Sequence, residues 1–202
     1  MEKTLAFDAK SHSYTYGGIP VPSVTQVLKS EGFIETRFCS EFGLERGSRV
    51  HEACSFLFDG ALDWKSVDSR ILSRVRACER FIQESGFRAL ETEKAMIHRS
   101  SLYAGTLDAY GMFQGRYVVV DLKCGPPAAW HGLQLAAYQE LLSANRLKCQ
   151  SRFTLHLRDN GTYDLRAHRD PRDLGVFLSA CNVFRRKNPN GGTSNETGDV
   201  VD

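Results

Sequence analysis

The stretch that decides the fold is Tyr103-Ala104-Gly105-Thr106-Leu107-Asp108-Ala109-Tyr110-Gly111-Met112-Phe113-Gln114-Gly115-Arg116-Tyr117-Val118-Val119-Val120-Asp121-Leu122-Lys123. Two strand-like runs, Tyr103 to Met112 and Arg116 to Lys123, flank Gln114-Gly115, which suits a two-residue hairpin turn. That turn pairs Phe113 with Arg116 and sets Asp108 opposite Asp121. Strand alternation then puts Lys123 on the face of Asp121 and turns Leu122 away. The run Tyr117 to Val120 suits a strand covered on both faces. Upstream, Leu90 to His98 reads as a third strand. If the chain loops through Arg99 to Leu102, Glu93 falls opposite Asp108, and three carboxylates form one row on adjacent strands. A loop one residue longer or shorter changes that pairing, and Glu91, two positions away, remains an alternative to Glu93.

Carboxylates set opposite one another repel, and a divalent cation relieves the repulsion. Oxygen ligands from acidic side chains suit Mg²⁺ or Mn²⁺ and leave coordination positions for water and a phosphate. A lysine beside them orients the attacking water and offsets charge on a phosphorane-like transition state. The arrangement suits phosphodiester hydrolysis. Acid-x-Lys triplets also occur at Asp8/Lys10 and Asp63/Lys65. Asp121/Lys123 differs in closing a buried strand, ahead of the Gly125-Pro126-Pro127 turn.

Outward from this hairpin, Ser13 to Tyr16, a Gly17-Gly18 turn and Ile19 to Val21 predict an N-terminal hairpin. Ser23 and Gln26 have capping-box spacing for a helix that starts after Pro22. Helical patterns run from Glu35 to Phe58, with breaks allowed at Gly43 and Gly47, and from Ser69 to Ser85, stopped by Gly86. A helix over Ala128 to Asn145, strands over Arg152 to Leu157 and Thr162 to Ala167, and a helix over Pro171 to Arg186 follow. Arg70 and Arg74 read as a basic strip, a solvated face by default with phosphate contact as the alternative. Residues 188–202 lack an apolar period and read as a disordered tail.

The 202 residues are 42% apolar and 25% charged, which excludes fibrous and wholly disordered classes. No run approaches the roughly 18 apolar residues of a membrane span, and charges occupy the N-terminus where a signal peptide needs its apolar core. The expectation is a protein with no membrane partner that stays where it is made. Net charge is +2, with 26 basic and 24 acidic residues, and permits a nucleic-acid partner. The six cysteines contain no C-x-x-C pair and read as reduced thiols.

Gly105-Thr106-Leu107-Asp108, then Val118 to Gly125 with Asp121-Leu122-Lys123, then Gln134-Leu135-Ala136-Ala137-Tyr138, closely resemble the ordered motifs of PD-(D/E)XK nucleases of the RecB-like and phage-exonuclease group. Arg46-Gly47-Ser48-Arg49-Val50-His51 looks like that group's arginine-to-histidine helix motif, and Tyr14 to Leu28, with Pro22-Ser23-Val24-Thr25, is similar to the start of small phage-type members. The resemblance implies an α/β fold with a restriction-endonuclease-like core. A mixed central β-sheet would be flanked by helices in the order helix, three strands, helix, strand. It also implies one nuclease domain over residues 1–187, comprising hairpin and helices to 68, catalytic core 69–160, and C-terminal strand and helix 161–187.

Carried over by residue, the resemblance makes Asp108, Asp121 and the Leu122 carbonyl metal ligands, with His51 a further ligand and Lys123 the catalytic lysine. Glu93 becomes an acid of the same site, and Gln134 and Tyr138, one helical turn apart, position DNA or the catalytic groups. Ser23, Thr25, Arg46 and Arg49 become DNA contacts; Trp130 and His131, at the helix start after Pro127, either stack on a base at the site mouth or are buried as core. Cluster-bearing relatives use four cysteines; the wide spacing of Cys39, Cys149 and Cys181 fails that pattern, so no iron–sulfur cluster is expected.

The implied activity is Mg²⁺-dependent DNA hydrolysis, with Mn²⁺ able to substitute, by an exonuclease of phage-type recombination or DNA processing. A structure-specific endonuclease and a non-catalytic nucleic-acid-binding module on the same fold are the alternatives. DNA is the implied partner, with a single-strand annealing or other recombination protein beside it and a homo-oligomer compatible with the group. The implied compartment is the cytoplasm of a bacterial or phage-infected cell.

Overall fold

A computed structural model describes residues 3–8, 11–35 and 41–189. The N-terminal segment forms three antiparallel strands, β1 (Leu5–Asp8), β2 (Ser13–Tyr16) and β3 (Ile19–Val21), where the sequence suggested only the last two. Phe7 of β1 stacks on Tyr14 with ring centroids 4.8 Å apart, which fixes this extra strand. The capping box forms as expected: the Gln26 amide donates to Ser23 Oγ at 3.0 Å and the Ser23 amide to Gln26 Oε1 at 2.8 Å, opening α1 (Val24–Ser30).

Helix α2 (Glu41–Phe58) runs unbroken across Gly43 and Gly47, because a helical glycine costs only about 1 kcal/mol and Val50 and Cys54 are fully buried further along. The expected start at Glu35 precedes residues 36–40, which lie outside the described residues, as does Cys39. Gly60, at φ +69°, ends the helix. A short 3-10 turn (Trp64–Ser66) leads to α3 (Leu72–Ser85). That helix starts three residues later than expected because the Asp68 side chain accepts from the Arg70 amide and holds the entry as a turn.

The central sheet contains β4 (Arg88–His98), β5 (Tyr103–Phe113), β6 (Arg116–Lys123), β7 (Ser151–Leu157) and β8 (Tyr163–Ala167), in that spatial order. Neighbours are antiparallel except β6 and β7, which are parallel and joined by the crossover helix α4 (Trp130–Ala144). Helix α5 (Asp173–Lys187) follows, and Asn188, expected in the tail, closes it by donating from Nδ2 to the Phe184 carbonyl at 2.9 Å. The rest of the expected tail, from 190 on, lies outside the described residues. The sheet is mixed and helix-flanked in the order helix, three strands, helix, strand expected of a restriction-endonuclease-like core. No helix of the described residues is long and apolar enough to cross a membrane.

Two cores flank the sheet. Leu28 of α1, Leu135 and Leu141 of α4, and Phe177 of α5 pack with Tyr103, Leu107, Tyr110 and Val119. Val50 and Cys54 of α2, with Val75, Cys78 and Phe81 of α3, pack with Ala109, Val118, Val120 and Leu122. The small sheet is tied to β5 by a 2.7 Å hydrogen bond between Tyr14 Oη and Thr106 Oγ1 and by the Ala104 amide donating to the Pro22 carbonyl.

Candidate active site

The hairpin turn forms as the sequence implied: Gln114 and Gly115 both have positive φ, and Phe113 pairs with Arg116. The β5–β6 ladder then ends at Ala109 and Val120, one pair short of the carboxylates. Leu107 belongs to the core beside α4, whereas Ala109, two residues on, belongs to the core beside α2 and α3. In a regular pleat both would share a face, so the alternation shifts phase at Asp108. The expected row of three carboxylates is therefore not realised. Asp108 turns into the gap between the parting strands, where its Oδ2 accepts the Leu122 N–H at 2.6 Å and its Oδ1 lies 3.1 Å from Nδ1 of His51.

On the other side of β5, Thr92 pairs with Ala109 and Lys94 with Leu107, which places Glu93 level with Asp108 as the softer register implied. Glu93 has φ +45°, a left-handed conformation that costs a residue with a Cβ roughly 1–2 kcal/mol. Ligand atoms of His51, Glu93 and Asp108 all lie within 4.8 Å of one another. Glu91, the alternative acid, pairs in register with Tyr110 and forms an ion pair with Lys94 at 3.2 Å. Three elements, α2, β4 and β5, thus each supply one member of the cluster.

Asp121 and Lys123 form an adjoining network. Lys123 Nζ is 2.6 Å from Asp121 Oδ2 and donates to Gln134 Oε1 at 2.9 Å, and Gln134 Nε2 donates to Tyr138 Oη at 3.0 Å. An ammonium only donates, so the Gln134 atom that faces it must be the carbonyl oxygen, which leaves the amide nitrogen for the tyrosine. The i, i+4 spacing on α4 aligns these two side chains toward the sheet. Gly105 makes room for them: a Cβ there would sit 2.8 Å from Tyr138 Cε1 and 3.2 Å from Leu141 Cδ1. The glycine of the first motif and the tyrosine of the last are spatial complements.

Crowding of charge sets the electrostatics. Burial, opposed by the Lys123 charge and reinforced by Asp108, holds Asp121 up at about 6. Glu93 keeps much of its surface in solvent, yet desolvation at its carboxyl end and then the Asp108 charge push it to about 7. For Asp108 the penalty of burial is outweighed by His51, Lys123 and the Leu122 amide, which hold it below the usual carboxylate range. His51 loses to burial less than it gains from Asp108 and Asp121, and stands near 9. Burial keeps the Tyr138 phenol protonated. The donor set fits a divalent cation: one imidazole and two carboxylates converge, and the buried Asp121 Oδ2 accepts no aligned hydrogen bond despite the lysine beside it.

Leu122 is placed by its N–H, which binds Asp108, and by a side chain buried with α2 and α3. Arg46, half-buried on α2, is close enough to Cys124 for its charge to act on that thiol, while Arg49 is paired with Glu45 at 2.7 Å and Asp68 at 3.7 Å. The DNA contact expected of Ser23 is not available, since that residue is buried and its hydroxyl is used in the cap; Thr25 beside it is half-buried. His131 is also buried, 2% exposed, and its Nδ1 accepts from the Ala128 amide, so of its two readings the core one holds and base stacking does not. Trp130 instead faces the site, with Lys123 Nζ 4.9 Å from its ring centroid.

Arg74 departs furthest from the sequence reading. It is 5% exposed, pairs with Asp159 at 2.6 Å, and donates to the carbonyls of Leu157 and Cys124 at 3.3 and 3.5 Å, tying together the ends of β7 and β6. Its position on the helical face of Ile71, Val75 and Cys78 was the signal for burial.

No protein-family model matches the chain, and no curated protein sequence does. Among solved structures the chain is similar to an alkaline exonuclease from Laribacter hongkongensis, at 12% identity and TM-score 0.44 over 82% of this chain and 86% of that one. The same enzyme in complex with dAMP gives 15% identity and TM-score 0.43 over 83% and 87%. A structure described as a putative exonuclease from Eubacterium rectale gives 14% identity and TM-score 0.46 over 82% and 74%.

Proposed function

We propose that the chain is a divalent-metal-dependent nuclease that hydrolyses DNA phosphodiester bonds, with residues 1–187 acting as a single nuclease domain. The observation that carries the reading is the convergence of His51, Glu93 and Asp108 at the point where β5 and β6 part, beside the Asp121–Lys123–Gln134 network. A structural role alone gives no reason to gather three carboxylates, an imidazole and an ammonium where desolvation penalises each of them.

His51, Glu93 and Asp108 would hold the cation, with Asp121 alongside. Once bound, it would polarise a phosphoryl oxygen and lower the pKa of an attacking water. Lys123 offers the site an ammonium whose direction is fixed by Asp121 and Gln134, so no reorganisation is needed as negative charge builds on the phosphate. Gln134 is itself held by the protonated Tyr138, and Gly105 keeps that ring in place. Trp130 covers the lysine on the side of the α4 start and limits its contact with water.

The finer assignments rest on the motif series: Mg²⁺ as the working cation, an exonuclease of recombination or DNA processing, and a cytoplasmic setting with a recombination partner. The test is incubation of the purified protein with end-labelled linear duplex, circular and single-stranded DNA, with Mg²⁺ and with chelator. Cleavage of linear DNA that stops with chelator is expected, and intact circular DNA marks the exonuclease form. Linear DNA left uncut with Mg²⁺ and with Mn²⁺ would overturn the proposal.

A further inference from the structure

The far end of the same sheet carries a different arrangement of charge. Two adjoining hollows of about 480 and 520 Å³ share Gln139 and Arg152 and form a trough across α4, the start of β7 and the β8–α5 connection. Arg116, Arg146, Lys148 and Arg169 line it, all exposed. Among the described residues, none of these four side chains has a hydrogen-bond or ion-pair partner. The acids nearby are engaged: Asp173 with Arg152 at 2.7 Å, Asp170 with Arg172 at 2.7 Å, and Glu140 with His98 at 3.5 Å. Arg152 is buried, fixed by Asp173 and by the carbonyls of His168 and Asp170, and forms the floor.

We infer that this trough is a second nucleic-acid surface, which holds the phosphate backbone at a distance from the candidate active site. Four unpaired cations on one surface match a polyanion, and three of them are guanidinium groups whose fork fits phosphate oxygens. An acidic protein fits less well, since a protein interface needs apolar anchors and none of the large exposed apolar side chains lines the trough. The separation suits a continuous duplex. Arg116 and Lys123 are the two ends of β6, about 23 Å apart at a strand's rise per residue, which is about seven base pairs of DNA. Helix α4 joins the two places: Gln134 meets Lys123, and Gln139 lines the trough.

The inference is tested by binding in chelator, where cleavage plays no part, using a labelled duplex of about 20 base pairs over about 50 to 200 mM salt. The variant carries Arg116→Gln, Arg146→Gln, Lys148→Gln and Arg169→Gln together. We expect affinity to fall at least about tenfold at the low-salt end and the log–log salt slope to flatten by about four, roughly one per charge removed. Hydrolysis of a thymidine nitrophenyl phosphodiester, which reaches only the active site, and the melting temperature should match the parent. Parent-like affinity and slope in the variant would overturn the inference, as would loss of poly-glutamate binding with DNA binding intact, which assigns the surface to an acidic protein. Failure of both proteins to hydrolyse the small diester would count against the nuclease reading and leave the binding result standing.

Discussion

The two ends of β6 use charge in opposite ways. At the Lys123 end His51, Asp108, Asp121 and Lys123 are buried or half-buried and engaged with one another, so that each geometry is set by at least one neighbour. At the Arg116 end four cations, Arg116, Arg146, Lys148 and Arg169, are exposed and unpartnered among the described residues. Buried charges are few and expensive, and what they provide is position, which chemistry requires. Exposed cations are inexpensive and loosely placed, and what they provide is long-range attraction that fades with salt. The contrast teaches that one strand can separate catalysis from retention of substrate, and each end can be disturbed without the other.

The largest effect is expected from Asp121→Asn, which removes a charge with almost no change of shape. Cleavage of end-labelled DNA with Mg²⁺ should drop by about 10³-fold or more, whereas duplex affinity in chelator, governed by the other end, should stay within about twofold. Parent-level cleavage by this variant would remove Asp121 from the chemistry, and a matching collapse of affinity would erase the division of labour.

Next comes His51→Ala, which takes away the imidazole of the cluster. The Mg²⁺ midpoint of cleavage should rise by about tenfold or more, and Mn²⁺, which holds nitrogen ligands better, should restore part of the rate. A lowered melting temperature with an unchanged metal midpoint would reassign His51 to packing.

Gly105→Ala sharpens the picture within the catalytic end. Its new methyl would press on the Tyr138 ring and disturb the side chains that aim Lys123. The rate constant should fall about tenfold, while the metal midpoint stays with the parent. Steady-state cleavage over a metal titration distinguishes this from loss of the cation site.

The smallest effect concerns the histidines beside Lys123. Burial, then the Lys123 charge, hold His131 down at about 3, and burial also lowers His156 and His168. The His131 ring is neutral in the folded chain and takes a proton once unfolded, near pH 6.5. Its stabilising contribution is therefore complete above about pH 6.5 and is lost as pH falls toward 3. Urea unfolding at about pH 7.5 and 5 should show a smaller loss in His131→Gln than in the parent. An identical loss in both would mean that the ring is not held neutral.

Much of this architecture was legible in the chain. A two-residue turn at Gln114-Gly115 leaves one register for the hairpin, and the cap at Ser23 has one spacing, so both could be read locally. The side on which Asp108 projects could not, because a phase shift in the pleat arises from packing on both faces and leaves no mark on the alternation of residue types. Glu93 was separated from Glu91 by a left-handed backbone that no propensity favours at glutamate. The burial of Arg74 was hidden because carbonyl partners from other elements make it tolerable, and such partners exist only after folding. The trough was equally hidden, since its four cations come from three separate segments of the chain.

The phase shift at Asp108 also bears on how this gene can change length. Deleting Asp108, the one residue between Leu107 and Ala109, would let the pleat run regularly with Tyr110 still in the core beside α4, so the fold would be kept while the cluster lost a carboxylate. One residue inserted into the loop at Arg99 to Leu102 would instead be absorbed at the surface, before pairing begins at Tyr103. Natural length variation should therefore collect in that loop and be absent from the middle of β5, although both lie on the same ribbon of sheet.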